Sequence, residues 1–228
     1  MNRNSFLKIT GLSTLFSIMA PRSFARQIYA DKNSKNVFVC ILRGGLRKED
    51  FFSVSNFVSN SSLQSFDIIY AGEVLSHNAA IHSILNETYQ YENKLMDIPE
   101  VNSIEDFREM KNEFKNKNGV TCFTIGNTDV AHFNLDEYYK EIKRVDDLIL
   151  QITQFEEKSS DNSSSFLILP DHGRNNFSNE MGGTDHHHES ARNSFCLYLG
   201  TNKLNPARQV FETIHIKKLA EEIKTFQV

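Results

Sequence analysis

"SSFLILPDHGRNNFSNEMGGTDHHHES", residues 164–190, decides the fold and frames the chemistry. Phe166–Pro170 is an unbroken apolar run, the pattern of a strand buried on both faces rather than one with a wet side. Pro170 closes it, and Asp171, His172, Gly173 and Arg174 follow at once. A polar loop then leads to three consecutive histidines, His186, His187 and His188. A strand that ends on a carboxylate and an imidazole, with more imidazoles in the next loop, suggests a metal site at a strand end.

Working outward, four other short apolar runs read as strands: "NVFVCIL" (36–42), "FDIIYAG" (66–72), "VTCFTIG" (120–126) and "SFCLYLG" (194–200). Helical patterns separate them. In residues 134–158, Leu135, Tyr138, Ile142, Val145, Ile149, Ile152 and Phe155 recur every three or four positions, which makes one apolar face. Asp136 and Glu137 in the first turn suit the helix dipole. Residues 103–117 read as a second helix capped by Ser103, with Phe107, Met110 and Phe114 on one face, and 76–90 as a third. Alternating strands and helices predict an α/β fold: a single three-layer domain, a mostly parallel sheet and helices on both faces. Such sheets place ligands beyond the C-terminal strand ends. The polar loops "ILRGGLR", "AGEVLSH", "GNTDVAH" and "LPDHGR" all follow strands, so they are expected to converge on one edge.

Composition narrows the classes. The chain has 228 residues, a net charge of −4 and both signs of charge spread along it, which excludes the basic stripe of a nucleic-acid surface. Three cysteines, Cys40, Cys122 and Cys196, all in apolar runs, read as buried small hydrophobes rather than a disulfide framework. Residues 1–25 have a basic start, an apolar stretch from Ile9 to Ala20 and small residues at Ala20 and Ala25, the pattern of a secretory signal. The expectation is therefore an exported chain, periplasmic or secreted, with a domain at 30–228 and no integral membrane span in the mature part. "NRNSFLK" is similar to a twin-arginine export signal, although Asn4 stands where an arginine is expected.

Asp129 and His132 sit three apart after one strand, and Asp171 and His172 are adjacent after another. Carboxylate oxygen with imidazole nitrogen is the mixed donor set that holds divalent zinc or manganese. With a further histidine from 186–188, these pairs suffice for one or two ions. His82 and His215 read as structural.

The order of these pieces resembles the alkaline-phosphatase superfamily, in its sulfatase and type I phosphodiesterase branch. "FLILPDHGR" with "DHHHES" is similar to that family's strand, Asp-His-Gly and distal histidine. "NTDVAHFNLDEYYKEIKRVDDLI" resembles its Asp-and-His stretch, followed by a helix with a Tyr and a later Asp. "NVFVCILRGGLRKEDFF" and "GEVLSHNAAIHSILNETYQ" are similar to its opening strand and its nucleophile segment. The resemblance implies an alkaline-phosphatase-like fold and hydrolysis of a small anionic phosphate or sulfate ester. It implies Asp129 and His132 as ligands of one ion, with one of the histidine trio, His187 favoured. Asp171 and His172 would serve a second ion. Zinc is the favoured metal, with manganese or calcium as alternatives. The nucleophile falls at Ser76, or at His77 in the other register, and Arg174 or Arg47 would orient the anion.

Departures from the pattern matter as much. Where the family's first strand ends on a ligating aspartate, this chain has Gly44, which offers no side chain. Asp50 is read as a helix or turn residue and not as its replacement. Asn86 and Glu87 stand where Thr-Gly is expected. The alternative is accordingly a catalytically inactive relative that binds a metal or an anionic ligand.

Overall fold

In the computed structural model, the described residues are 36–60, 63–69, 77, 80–81, 98–114, 119–159, 164–187, 189–200 and 213–215. The expected leader, Ser76, His82, Asn86, Glu87, His188 and most of the expected helix 76–90 lie outside them; His77, Ala80 and Ile81 are helical.

Six strands form one sheet: β1 (Asn36–Leu42), β2 (Gln64–Ile69), β3 (Gly119–Ile125), β4 (Ser164–Pro170), β5 (Asn193–Leu199) and β6 (Thr213–His215). Their order is β3-β1-β4-β5-β2-β6. β1 runs parallel to both β3 and β4, and β2 parallel to β6, whereas β5 is antiparallel to β4 and β2. The sheet is thus mixed, with β5 alone reversed among the described strands. Its register fixes the edge that matters, because Leu42 lies opposite both Ile125 and Pro170. Three strands end flush, so residues 43–45, 126–132 and 171–174 leave the sheet side by side. The reversal of β5 brings the chain back to that same edge after the histidine trio.

Among the described residues, helices α1 (Lys48–Val54), α2 (Asn56–Asn60), α3 (Ile104–Phe114) and α4 (Leu135–Lys158) accompany the sheet. Asn134 starts α4: its side-chain oxygen accepts from Asp136 N at 3.0 Å and Glu137 N at 3.2 Å, satisfying two donors that the helix leaves open. α3 starts with a reciprocal box, in which the Ser103 hydroxyl accepts from Asp106 N at 3.2 Å and the Asp106 carboxylate accepts from Ser103 N at 3.0 Å.

On one sheet face Phe38, Cys40 and Leu42 pack with Phe107, Met110, Tyr138, Ile142, Val145, Ile149 and Ile152. Phe38 stacks on Phe166 at 5.2 Å and meets Phe107 at 5.4 Å, edge and face contacts that suit aromatic quadrupoles. Val39, Ile41, Leu167 and Leu169 point the other way and are also fully buried, as expected of a sheet covered on both sides. Burial pushes the thiols of all three cysteines up, Cys122 and Cys196 to about 12, which suits packing roles.

Two polar residues of the core serve the fold. Asp146 is buried in the middle of α4; its carboxylate accepts from the Ser55 hydroxyl and from Asn56 N at 2.7 Å, and so caps α2. Asp50, in α1, accepts from Arg47 and, at 3.0 Å each, from the hydroxyls of Tyr138 and Tyr139. The later Asp and the Tyr of α4 are therefore struts beneath the site loops, and Asp50 is fully engaged away from Gly44.

Candidate metal centre

At the flush strand edge, three Asp–His pairs come together from two connections, the one after β3 and the one between β4 and β5. The first follows β3, where Asn127 opens a short 3-10 turn (Thr128–His132) by accepting from Asp129 N. One turn places Asp129 and His132 on the same side, with His132 Nε2 3.4 Å from Asp129 Oδ1. Asp185 Oδ1 lies 2.7 Å from His132 Nδ1. The ionised carboxylate only accepts, so Nδ1 carries a proton there, while Nε2 is the nitrogen that faces Asp129 and the cluster. Asp185 is itself held by the Asn179 amide at 3.1 Å. Its carboxyl sits below the usual range because of the His132 hydrogen bond, which outweighs desolvation.

The second pair, Asp171 and His172, is completely buried. A buried carboxylate needs donors. Here the Asp171 oxygens accept from three main-chain N–H groups: Gly45 at 2.9 Å, His172 at 3.0 Å and Gly44 at 3.3 Å. Burial alone would raise its pKa, but His172, His77 and the Gly45 amide hold it below the ordinary value. The cradle depends on glycine. Gly44 and Gly45 have φ of +97° and +75°, where a Cβ is strained. A Cβ on Gly44 would lie 2.5 Å from the backbone nitrogens of Thr128 and Asp129, and one on Gly45 would lie 2.3 Å from the His172 ring. His172 Nδ1 is 2.7 Å from Gly173 O, an acceptor only, so its Nε2 is unprotonated and faces the cluster.

The third pair is Asp185 and His186. Among the described histidines of the trio, His186 is buried and meets the other rings, at centroid distances of 4.4 Å from His172 and 5.1 Å from His132. His187 is exposed, although its ring lies 4.5 Å from that of His186. Of the two, His186 and not the favoured His187 is the ring that lies among the other donors. A one-residue shift along the loop decides which ring turns inward.

His77 lies between the pairs. Its Nε2 is 2.7 Å from Asp129 Oδ2, and its Nδ1 is 2.8 Å from Asp171 Oδ2 and 2.8 Å from His172 Nε2. Burial lowers its pKa, but hydrogen bonds and charge from Asp129 and Asp171 prevail and raise it to about 9. Asp129 is correspondingly held low, with His77, Arg174 and His132 outweighing desolvation.

The two arginines expected to orient an anion do other work. Arg174 is buried, and each of its guanidinium nitrogens is engaged: Nε with Gly45 O at 3.0 Å, Nη1 with Thr184 O at 2.6 Å, and Nη2 with Gly44 O, Thr128 O and Asp129. It stitches three site loops together and lies over the Tyr138 ring. Desolvation lowers its pKa. Arg47 pairs with Asp50 and reaches Asn175 O.

The donor set fits a divalent ion. Two groups, Asp129–His132–His186 and His77–His172–His186, each offer three ligand atoms within 4.8 Å of one another. Ligands about 2.0–2.2 Å from a tetrahedral zinc stand about 3.3–3.6 Å apart, so closure by at most about 1.5 Å would satisfy either group. His132 and His172 already turn Nε2 inward, with outer acceptors on Nδ1, as metal-binding histidines do. Asp185, Asn179 and the Gly44–Gly45 amides were not singled out by sequence reasoning. The recurrence of Asp-His at 171–172 and 185–186 is a signal that points to the first of them.

No protein-family model matches the sequence, and no curated protein matches it. Among solved structures, the chain is similar to alkaline phosphatase from the Antarctic bacterium TAB5, with 11% identity, a TM-score of 0.50, and coverage of 85% of this chain and 98% of that one. It is also similar to the C-terminal periplasmic domain of EptC from Escherichia coli, with 8% identity, 78% and 75% coverage and a TM-score of 0.46. The lipoteichoic acid synthase LtaP from Listeria monocytogenes gives 10% identity, 78% and 68% coverage and a TM-score of 0.46. The chain has the alkaline-phosphatase fold. None of the described helices is long and apolar enough to cross a membrane.

Proposed function

We propose that the protein is an exported, divalent-metal-dependent hydrolase of small phosphate or sulfate esters, with ligands drawn from Asp129, His132, Asp171, His172 and His186 and with Ser76 as nucleophile. The meeting of three Asp–His pairs at the strand-end edge of this fold carries the reading. Zinc suits the mixed nitrogen and carboxylate donors, with manganese next. A bound ion would make a hydroxyl a competent nucleophile near neutral pH and offset charge on ester oxygens. The chain's own part is to hold the donors ready: Asp185 fixes the His132 tautomer, Gly173 O fixes that of His172, and the glycine amides carry the Asp171 charge. Ser76 is next in the chain to His77. The leader pattern of residues 1–25 supports export, with the domain following.

Gly44 and Arg174 favour a second reading, a non-catalytic relative that binds a metal or an anionic ligand. One strand end lacks a carboxylate, and the buried guanidinium is committed to carbonyl groups. The test is turnover of p-nitrophenyl phosphate, its bis-ester and p-nitrophenyl sulfate, with added zinc or manganese. The hydrolase reading expects turnover that Ser76→Ala abolishes. Metal bound in defined stoichiometry without turnover selects the second reading.

A further inference from the structure

We propose that His77 is a metal ligand, and that His77, His172 and His186 form a three-imidazole site that takes a late first-row divalent ion in preference to magnesium or calcium. This deepens the reading that the cluster holds a metal and rests on it.

Three observations carry it. The three rings form a closed triangle, with centroids 4.7 Å apart for His77 and His172, 4.4 Å for His172 and His186, and 5.4 Å for His77 and His186. Their ligand nitrogens lie within 4.8 Å of one another. His172 enters with its tautomer fixed, because Gly173 O takes the Nδ1 proton, so its Nε2 lone pair faces His77 Nδ1 at 2.8 Å. An ion between those two nitrogens would accept from both, taking the place of the proton that His77 Nδ1 otherwise shares with Asp171, and that proton is released to solvent.

His77 is also badly placed for a nucleophile. Asp129 and Asp171 sit on its two nitrogens, so neither ring atom faces an open path to a substrate. A ligand needs the opposite arrangement, a ring pinned among other donors. The Asp171 oxygen beside His77 Nδ1 adds a carboxylate at the rim of the same site.

Selectivity follows from donor type. Magnesium and calcium need six or more oxygen ligands and gain little from imidazole, whereas zinc, copper, nickel and cobalt bind it well. The other group, Asp129–His132–His186, shares His186 with this one. A single imidazole nitrogen serves one ion, so the two groups compete for His186. The all-nitrogen group, lined by the buried His172 and His186, is the tighter.

The experiment uses the full chain, purified without a histidine tag and stripped with a chelator. Zinc is titrated calorimetrically, with magnesium and calcium as competitors. One zinc per chain is expected at the tight site, unaffected by excess magnesium or calcium. His77→Gln should weaken it by more than about a hundredfold, above the loss caused by removing an outer partner. His132→Gln should weaken it less. If His132→Gln abolishes tight binding and His77→Gln leaves it unchanged, the three-imidazole site is wrong while a metal-binding cluster stands. If the wild type binds no metal, both fail. Should His77→Gln not fold, paramagnetic resonance of copper-loaded wild type decides: hyperfine splitting from three nitrogens supports the site, and from fewer overturns it.

Discussion

The two halves of the cluster are built from the same residue types by different means. Asp171 and His172 have side-chain exposures of 0%, and the main chain positions them, through amides from Gly44, Gly45 and His172 and the carbonyl of Gly173. Asp129, His132 and Asp185 are 35%, 19% and 35% exposed, and side chains position them, through Asp185, Asn179 and Arg174. One half is a rigid socket, fixed as soon as the strand ends and their turns form. The other is an adjustable wall facing solvent. Damage to the socket should therefore cost folding and metal together, whereas damage to the wall should cost metal alone.

The sharpest way to break that contrast is Gly44→Asp, the substitution that would restore the missing strand-end carboxylate. Its Cβ would meet backbone atoms at 2.5 Å in a left-handed conformation, so nothing flexible can yield. The expected result is a loss of about 3–5 kcal/mol by denaturant unfolding, from strain and overpacking, with no gain in metal stoichiometry. A stable variant that binds an extra ion would show that the socket is softer than its geometry implies. Gly45→Ala comes next: its Cβ would strike the His172 ring, which can tilt, so about 2–4 kcal/mol and weakened zinc binding are expected. Asp185→Asn tests the wall. It should weaken zinc binding by about 10–100-fold in calorimetry while the thermal midpoint of the metal-free protein barely moves. The smallest effect belongs to Asn134→Ala, which removes the cap just beyond His132. It should cost about 1 kcal/mol of stability and leave zinc affinity close to wild type.

The same division explains what the amino-acid sequence discloses. Strands β1 and β4 and helix α4 are legible because burial on both faces leaves continuous apolar runs, and one buried helix face leaves a period near 3.6. Asp129, His132, Asp171 and His172 are legible as a group because strand ends announce where their loops must lie. The direction of β5 is not, since an apolar run looks the same in either sense. Nor is the choice of His186 over His187, which turns on one dihedral step in a loop. For Arg174, a guanidinium beside Asp and His suggests an anion, whereas the carbonyls that surround it come mostly from loops distant in sequence and leave no local mark. The cradle of Asp171 is made of backbone amides, which every sequence possesses and none displays.

Because β5 runs against its neighbour, the segment 171–192 leaves and rejoins the sheet at one border, like a drawer that opens on a single side. Its length can change through insertion or deletion without re-routing any other part of the chain. The same border therefore receives Asp171 and His172 on the way out and Asp185 and His186 on the way back, so a single connection supplies four of the cluster's Asp and His residues.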